Sequence, residues 1–387
     1  MQRNPCELAI ELFCRGVRTD VVPSGRTRAG LGSGLDLVIE GKRPVWMNAP
    51  VVESFVQSSP WSLRGAWVEN RSSGERYRVS VPALPAWYER LTTRGVPMRS
   101  VGVLQGTYLG VYVGPPCAYW KPGADDACRF CTTGLNVDPN LRKKVSDVVE
   151  TARAAKAESG VTFVHLNTGY QSGAAARMML PYVEALKREV GVLVGVQIAP
   201  EAPLAEFDAL REAGVDHFSF CFEYYDAAAF EQLCPGKANT LGQSAFFRTL
   251  EHLQARMPRG ACSGEIIAGN EPIEATFAAI DYITSIGAFP TVCIFRPLEG
   301  SALERADAPD PEDMQRVMRH VWERCRDNGI PIGMAPNIEV SLVVQPTDTA
   351  YLADGTLRDR WYLARNALLR GLAAPLFRRR MRARDEH

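Results

Sequence analysis

The sequence predicts an α/β fold, a (β/α)6 partial TIM barrel with an N-terminal α+β extension and a mostly helical C-terminal extension. Three observations lead to this fold class. Between Val101 and Leu303, short runs rich in β-branched and aromatic residues alternate with longer helical patterns, which is typical of βα units around a parallel sheet. These units recur at intervals of about 30 residues. The flanking segments do not show this alternation.

The predicted barrel strands are six apolar runs: TYLGVYV from Thr107, VTFVHLN from Val161, VLVGVQI from Val192, HFSFCFE from His217, CSGEIIAG from Cys262 and PTVCIFRP from Pro290. The predicted helices between them are SDVVETARAAKAES from Ser146, AAARMMLPYVEALKREV from Ala174, PLAEFDALREAG from Pro203, QSAFFRTLEHLQAR from Gln243 and PIEATFAAIDYITSIG from Pro272. Several of these patterns end at glycine, a common helix C-cap. We expect functional residues beyond the carboxyl ends of the strands.

The two extensions have different patterns. Residues 1–100 contain short alternating runs split by turn signals, which predict an α+β unit: LDLVIEG from Leu35, GAWVEN from Gly65 and ERYRVSV from Glu75. Residues 309–387 begin with a helical pattern at Pro311, continue with IEVSLVVQ from Ile338, and end in a helical tail from about Thr356. The basic stretch RRRMRAR at its end is interpreted as a solvated terminus. Residues 101–308 form the predicted barrel.

Composition excludes several classes of protein. The 387 residues include 44 Lys+Arg and 44 Asp+Glu, so no overall charge attracts nucleic acid or an anionic membrane. A hydrophobic fraction of 46% with 23% charged residues excludes global disorder. No apolar run approaches the roughly 20 residues that span a bilayer, and no signal peptide is recognised. We therefore expect a cytoplasmic protein whose ten cysteines are reduced.

The most informative segment is CAYWKPGADDACRFC, which contains Cys117, Cys128 and Cys131 directly after the first barrel strand. Three thiolates from one loop suit a soft metal centre, and an odd number fits a cluster with one site open to another ligand. Pro122 and Gly123 would let the chain turn back between them. Two alternatives remain: a structural zinc site completed by a distant residue such as His165, and three unrelated buried cysteines.

Several further motifs share the strand ends with these cysteines. CRFC ends the cysteine loop, and the other segments are TTGLNV, HLNTGY, FEYYD with LCPGK, GEIIAGNEP and FRPLEGSAL. Together they resemble the radical S-adenosylmethionine (SAM) superfamily over about Leu104 to Leu303. The ten residues before the last cysteine pair depart from the family's usual three. Within the superfamily, GRTRAGLGSGLDLVIEG and EYYDAAAFEQLCPGKA are similar to the biotin synthase-like group and to radical SAM proteins encoded beside nitrilases in bacterial clusters.

The resemblance implies a [4Fe–4S] cluster held by Cys117, Cys128 and Cys131, with SAM on the fourth iron. It implies reductive cleavage of SAM to a 5′-deoxyadenosyl radical, which abstracts hydrogen from a substrate, and a flavodoxin or ferredoxin-type electron donor. The neutral charge favours a small-molecule substrate, in keeping with specialised metabolism. The alternatives are radical SAM modification of a peptide or RNA, and a zinc-stabilised binding protein without catalysis.

The resemblance also assigns cofactor contacts. It places Phe130 near the adenine and lets Glu223 bind the ribose hydroxyls. The remaining cofactor assignments are Asn167, Thr168 and Gly169 for the SAM amine, Lys237 for the SAM carboxylate, Ile266 with Gly264 and Gly269 beside the adenine, and Arg296 for a carboxylate or phosphate. A solvated lysine and a structural salt bridge are the alternatives for Lys237 and Arg296.

Other polar residues near the strand ends are weaker candidates. The candidate substrate contacts are Gln197, Glu201, Tyr170, Tyr224 and Tyr225. His165 and His217 lie within apolar strands and are interpreted as core histidines with satisfied hydrogen bonds. The remaining cysteines, Cys234 among them, are scattered singly, so we expect no second iron–sulfur cluster.

Overall fold

The computed structural model describes residues 2–21, 34–120 and 125–383. Most of the GRTRAGLGSGLDLVIEG stretch, Pro122 with Gly123, and the end of the basic tail lie outside these residues. One continuous hydrophobic core includes Leu8 of the N-terminal extension, Phe220 of the barrel and Trp322 of the C-terminal extension, each fully or almost fully buried. The three predicted segments therefore share a core.

The N-terminal extension contains one α-helix and an antiparallel sheet. Helix α1 (Pro5–Arg15) begins at Asn4, whose side chain accepts from the backbone of Cys6 and Glu7. Five strands follow in an antiparallel sheet of order β2-β1-β5-β4-β3. They are β1 (Leu35–Ile39), β2 (Val45–Ala49), β3 (Trp61–Arg64), β4 (Trp67–Asn70) and β5 (Arg76–Ser80), with 3-10 turns at Ser54–Ser58 and Ala86–Glu89.

The second sheet has seven strands. A short helix, α2 (Met98–Val101), leads into β6 (Val103–Gln105), which pairs antiparallel with the first barrel strand and was not predicted. The other strands of this sheet are β7 (Tyr108–Tyr112), β8 (Phe163–Asn167), β9 (Leu193–Gln197), β10 (His217–Glu223), β11 (Cys262–Ala268) and β12 (Phe289–Ile294), all parallel. Each apolar run predicted as a barrel strand overlaps one of them.

Helices connect these strands, and there are more of them than the five that the sequence pattern predicts. They are α3 (Thr133–Asn136), α4 (Val145–Ser159), α5 (Ala175–Ala185), α6 (Leu204–Ala213), α7 (Ala227–Leu233), α8 (Pro235–Thr240), α9 (Gln243–Gln254) and α10 (Ile273–Ser285), with a π-helical turn at Leu186–Val190. The sheet order β12-β11-β10-β9-β8-β7-β6 leaves its two edges unpaired with each other among the described residues. This curled α/β arrangement fits a partial TIM barrel.

The C-terminal extension contains two long helices, α11 (Pro311–Asp327) and α12 (Leu357–Arg380), and a 3-10 turn at Asp348–Leu352. Between them, the apolar run from Ile338 forms no strand. It crosses from the barrel to the N-terminal sheet instead: the backbone N–H of Thr107 donates to Glu339 O (2.9 Å), and that of Asn48 donates to Ser341 O (2.6 Å). None of the described helices is long and apolar enough to cross a bilayer.

Candidate functional site

A cavity of about 320 Å³ lies inside the seven-stranded sheet and extends to the carboxyl ends of its strands. Side chains from several segments line it. Cys117, Cys128 and Cys131 lie on the loop after β7, while Val340 and Val343 come from the C-terminal extension. Its size is in the range of small-molecule sites. The three cysteines singled out from the sequence therefore share one cavity.

Backbone hydrogen bonds attach the cysteine loop to the loops after neighbouring strands. The N–H of Ala118 donates to Tyr170 O after β8, and that of Arg129 donates to Leu233 O at the end of α7, both at 2.9 Å. The ring of Tyr119 stacks on Tyr170, with centroids 4.3 Å apart. These contacts return the chain so that Cys117 lies in the same cavity as the later cysteine pair.

The three thiols have different electrostatic surroundings. Burial raises the pKa of Cys117, and burial together with the neighbouring Cys128 raises the pKa of Cys131 to about 12. The pKa of Cys128 is lowered, because the Cys234 thiol donates a hydrogen bond to its sulfur and Lys237 lies nearby. Cys128 is therefore the sulfur that most readily becomes the thiolate that binds metal.

In the described ranges, no three or more His, Cys, Asp or Glu side chains are spaced to hold a single metal ion. An iron–sulfur cluster has different requirements, because each cysteine binds its own iron and the sulfurs surround the cluster without converging on one point. Cys117, Cys128 and Cys131 line one cavity, which is the feature of such a site that the structure shows. The donor set, three cysteine sulfurs, also suits iron–sulfur chemistry.

The end of β8 offers an acceptor beside the cysteines. Asn167 Oδ1 is buried and has no hydrogen-bond partner among the described residues, although its residue lines the cavity. Gly169 lies against Cys117, since an added Cβ would be 2.3 Å from Cys117 Cβ and 2.8 Å from its sulfur. The Gly169 N–H donates to Tyr112 Oη at 3.0 Å. Thr168 also lines the cavity, so this predicted trio lies together.

Glu223 and Lys237 form an ion pair in the cavity wall. Lys237 Nζ lies 2.5 Å from Glu223 Oε1 and donates to Cys221 O at 2.8 Å. Burial alone would lower the pKa of Lys237, but the Glu223 carboxylate and nearby thiols raise it well above its usual value. Glu223 has φ +67°, a left-handed backbone that directs β10 away from the ladder where its register shifts. Lys237 is therefore a buried partner and not a solvated lysine.

Of the other predicted cofactor contacts, two line the cavity and Ile266 does not. Phe130 and Arg296 line the cavity. Phe130 packs edge-on against Tyr224, with centroids 5.9 Å apart. Arg296 is 4% exposed and donates to the Asn48 carbonyl at 2.6 Å, with Glu53 at 3.8 Å, so it joins the barrel to the N-terminal sheet. The structural alternative for this residue is the one observed.

Ile266 is fully buried but does not line the cavity, in contrast to its neighbours Glu265 and Ile267. Its side chain follows the alternation of a strand and faces the opposite side of the sheet. Gly264 likewise lies against Ile283, which an added Cβ would approach to 2.8 Å. The side chains of Ile266 and Gly264 therefore do not face the cavity, in contrast to the expectation that they lie beside the adenine, whereas Ile267 lines it.

Some of the candidate substrate contacts line the cavity and others do not. Gln197 and Tyr170 line the cavity. Glu201 instead accepts from the backbone of Gln171 and Ala175 at 2.8 and 2.9 Å, so it holds the start of α5. Tyr224 is fully buried. Neither it nor Glu201 lines the cavity.

Of the two strand histidines, His217 is satisfied by Ser263 Oγ at 3.1 Å, as expected of a core histidine. His165 lines the cavity, and its Nε2 has no hydrogen-bond partner among the described residues. The interpretation of His165 as a satisfied core residue is therefore wrong.

Sequence reasoning missed two residues of the site. Cys234 was interpreted as isolated, but it contacts Cys128 because α8 begins beside the cysteine loop, where Gly236 N donates to Asp126 O at 3.1 Å. Glu265 was quoted only as part of a motif, although it faces the lumen and lines the cavity. The available signal was an acidic residue in the middle of an apolar strand.

Comparisons with known proteins found no matching family model and no matching curated sequence. Among solved structures, the chain is similar to a radical SAM methyltransferase from Sphaerobacter thermophilus (TM-score 0.45, 13% identity, 68% of this chain and 70% of that chain). It is also similar to methylornithine synthase (0.43, 18%, 57% and 61%) and to the radical SAM enzyme coproporphyrinogen III oxidase from Escherichia coli (0.41, 14%, 66% and 60%). The chain thus spans about three fifths of the latter two proteins.

Proposed function

We propose that this chain is a radical SAM enzyme that acts on a compact small molecule. The observation that carries the proposal is the meeting of Cys117, Cys128 and Cys131 in one cavity with the unpartnered acceptor Asn167 Oδ1 and the Glu223–Lys237 pair. In this proposal the cysteines hold a [4Fe–4S] cluster. When bound, the cluster and SAM supply the one-electron chemistry that removes a hydrogen atom from the substrate.

The chain's own residues bind and orient the cofactor in this proposal. Asn167 Oδ1 accepts from the amine of SAM, which would satisfy an otherwise orphaned buried atom. Glu223 accepts from the ribose hydroxyls. Lys237 fixes that carboxylate and keeps one of its three donor hydrogens for the SAM carboxylate. Phe130, between two of the cluster ligands, packs beside the adenine.

A compact substrate is favoured by the way the cavity is closed. Val340, Leu342 and Val343 line it, and their segment is hydrogen-bonded to Thr107 beside one sheet edge and to Asn48 of the N-terminal sheet. Arg296, which follows the strand at the other edge, donates to the same Asn48. Since protein covers the gap between the sheet edges, a small molecule suits the site better than a folded macromolecule. A flavodoxin or ferredoxin-type protein would supply the electron.

The test is anaerobic reconstitution of the full chain with iron and sulfide, followed by assay of 5′-deoxyadenosine release from SAM with a chemical reductant. We expect a brown protein with the iron and sulfide content of one cluster. Cys128→Ala should lose both the colour and SAM cleavage, whereas Cys325→Ala, in the core of α11, should keep both. A colourless protein, or a full iron complement in Cys128→Ala, would overturn the proposal.

A further inference from the structure

A second carboxylate lies in the cavity, deeper in the barrel than the Glu223–Lys237 pair. Glu265 is in the middle of β11, and its register partner Cys221 on β10 lies two residues before Glu223. The side chain faces the lumen, since Glu265 lines the cavity while Ile266 is buried on the other side of the strand. Inward positions of such barrels are usually filled by apolar side chains. An acid here has a cost in desolvation that a simple packing role would not require.

The groups that contact Glu265 are neutral. Ser219 Oγ donates to Oε1, Gln197 Nε2 donates to Oε2, and the Cys221 thiol donates to Oε2 at 2.9 Å. These three donors come from two neighbouring strands and hold the carboxylate in one orientation. Ser219 is held in turn by a hydrogen bond from Ser263 at 3.0 Å. The carboxylate is therefore preorganised, with acceptor capacity left on Oε1.

No lysine, arginine or histidine in the described ranges forms an ion pair with Glu265. The two cationic side chains that line the cavity are engaged elsewhere: Lys237 with Glu223 and the Cys221 carbonyl, and Arg296 with Asn48. Glu265 is partly buried, and carboxylates with restricted access to water are normally paired with a cation. In this cavity, the missing positive charge would have to come from the bound molecule.

The rest of the lower cavity defines the body of such a molecule. Aliphatic side chains that line the same cavity include Ile198, Val340 and Leu342. Polar side chains, among them Gln105 and Thr291, line the cavity as well, and His165 Nε2 has no hydrogen-bond partner among the described residues. Burial and the neighbouring His217 lower the pKa of His165 to about 3, so its ring is neutral at neutral pH and does not repel a cation.

We infer that Glu265 is the binding site for an ammonium group of the substrate, whose apolar body lies against the surrounding aliphatic wall. This inference rests on the proposed function, because it assigns the part of the same cavity next to Glu265 as the substrate-binding site. It narrows the substrate class to compact primary amines. The carboxylate is a binding and positioning group here and takes no part in bond cleavage.

The experiment compares three probes of equal heavy-atom count: n-pentylammonium, 1-pentanol and butanoate. Their binding to the anaerobically reconstituted full chain is measured by ligand-observed NMR titration in the presence of SAM. We expect pentylammonium to bind at least about tenfold more tightly than 1-pentanol, as a charge-assisted hydrogen bond in a largely desolvated site requires, and butanoate to bind most weakly.

Variants separate recognition from folding. Glu265→Gln, which can still accept from Gln197, should lose the preference for pentylammonium. Glu265→Asp should keep part of it, and Glu274→Gln on the exposed start of α10 should leave it unchanged. Equal binding of amine and alcohol by the parent chain would overturn the inference, as would a preference that survives Glu265→Gln. A thermal melt shows whether Glu265→Gln is folded. If it is not, the inference is tested by the preference of the parent chain and of Glu265→Asp for pentylammonium over 1-pentanol.

Failure of this inference is distinguishable from failure of the proposed function. SAM cleavage without an amine preference would leave the radical SAM proposal standing and remove the amine site. An amine preference in a chain that binds no iron would leave the amine site standing and remove the radical SAM proposal. The probe titration without iron or SAM provides that second comparison.

Discussion

The Cys234 thiol lies beside the sulfur of Cys128 and lowers its pKa, although one residue lies between two helices and the other in the cysteine loop. Lys237, one helical turn further along α8, adds a positive charge near the same sulfur. The segment after β10 therefore contributes to the electrostatics of the cysteine loop as well as to the cavity wall.

Replacing Cys234 with Ala should raise the pKa of Cys128. Loss of a hydrogen bond to a charged acceptor corresponds to about one pKa unit or more, so alkylation of Cys128 at pH 7.5 should slow by about tenfold in the protein without iron. Quantitative mass spectrometry of iodoacetamide adducts measures this rate. Cys325→Ala serves as the control, and an unchanged Cys128 rate in Cys234→Ala would contradict the hydrogen bond.

Replacing Gly169 with Ala should prevent Cys117 from occupying its place. The new Cβ would lie 2.3 Å from Cys117 Cβ, so one of the two backbone segments must move. We expect incomplete iron incorporation with little change in far-UV circular dichroism. The matched control is Gly371→Ala in α12, where an added Cβ contacts nothing and helix propensity favours alanine by about 1 kcal/mol. Full iron loading of Gly169→Ala would refute this account.

Removing one member of the Glu223–Lys237 pair should cost more than removing both. Lys237→Met leaves a carboxylate that is 13% exposed without its cation, and breaking a buried pair in this way typically costs about 3–5 kcal/mol. The double variant Glu223→Gln, Lys237→Met should recover much of that loss. The cycle is completed by urea unfolding of the parent chain, the two single variants Glu223→Gln and Lys237→Met, and the double variant. Additive losses of unfolding free energy would show that the two side chains do not interact.

Stability should fall as pH rises through neutrality because of Asp348. Burial raises the pKa of this carboxyl to about 7, against the opposing effect of Arg43, whose Nη2 lies 3.8 Å away. The folded state holds the proton that the unfolded chain releases near about pH 4, so the stabilisation present below that pH is lost between about 4 and 7. Asp348→Asn should flatten this slope.

The expected difference between the two proteins is zero at pH 4 and on the order of 4 kcal/mol in favour of Asp348→Asn at pH 8. Unfolding free energies from urea titrations at several pH values measure it. A slope that persists in Asp348→Asn would assign the pH dependence to another group.

Much of the barrel could be predicted because its strands are continuous apolar runs and its helices end at glycines. The position of the cysteine loop after β7 also followed from chain order alone. β6 was missed, since three residues carry too little pattern. The run from Ile338 has the apolar composition of a strand, but its hydrogen bonds go singly to Thr107 and Asn48, which no local pattern reveals.

The site was predicted less completely than the fold. Asn167 and Glu223 were predicted because each ends a barrel strand, and Lys237 was predicted from the LCPGK motif after β10. The direction of a side chain within a strand was harder to assign, which is why Ile266 was chosen in place of Ile267. The contact of Cys234 with Cys128 depends on how two loops pack, and that packing is set by tertiary structure.

The crossing of residues 338–343 beneath and beside the barrel has a consequence for how the protein is made. A ribosome delivers the cysteines and the parallel strands long before Val340 and Val343, which complete the cavity wall. The cavity wall of the nascent barrel is therefore incomplete until residue 343 has been synthesised. Newly made chains would expose their thiols to oxidants during that interval, and truncation before residue 338 would make that exposure permanent.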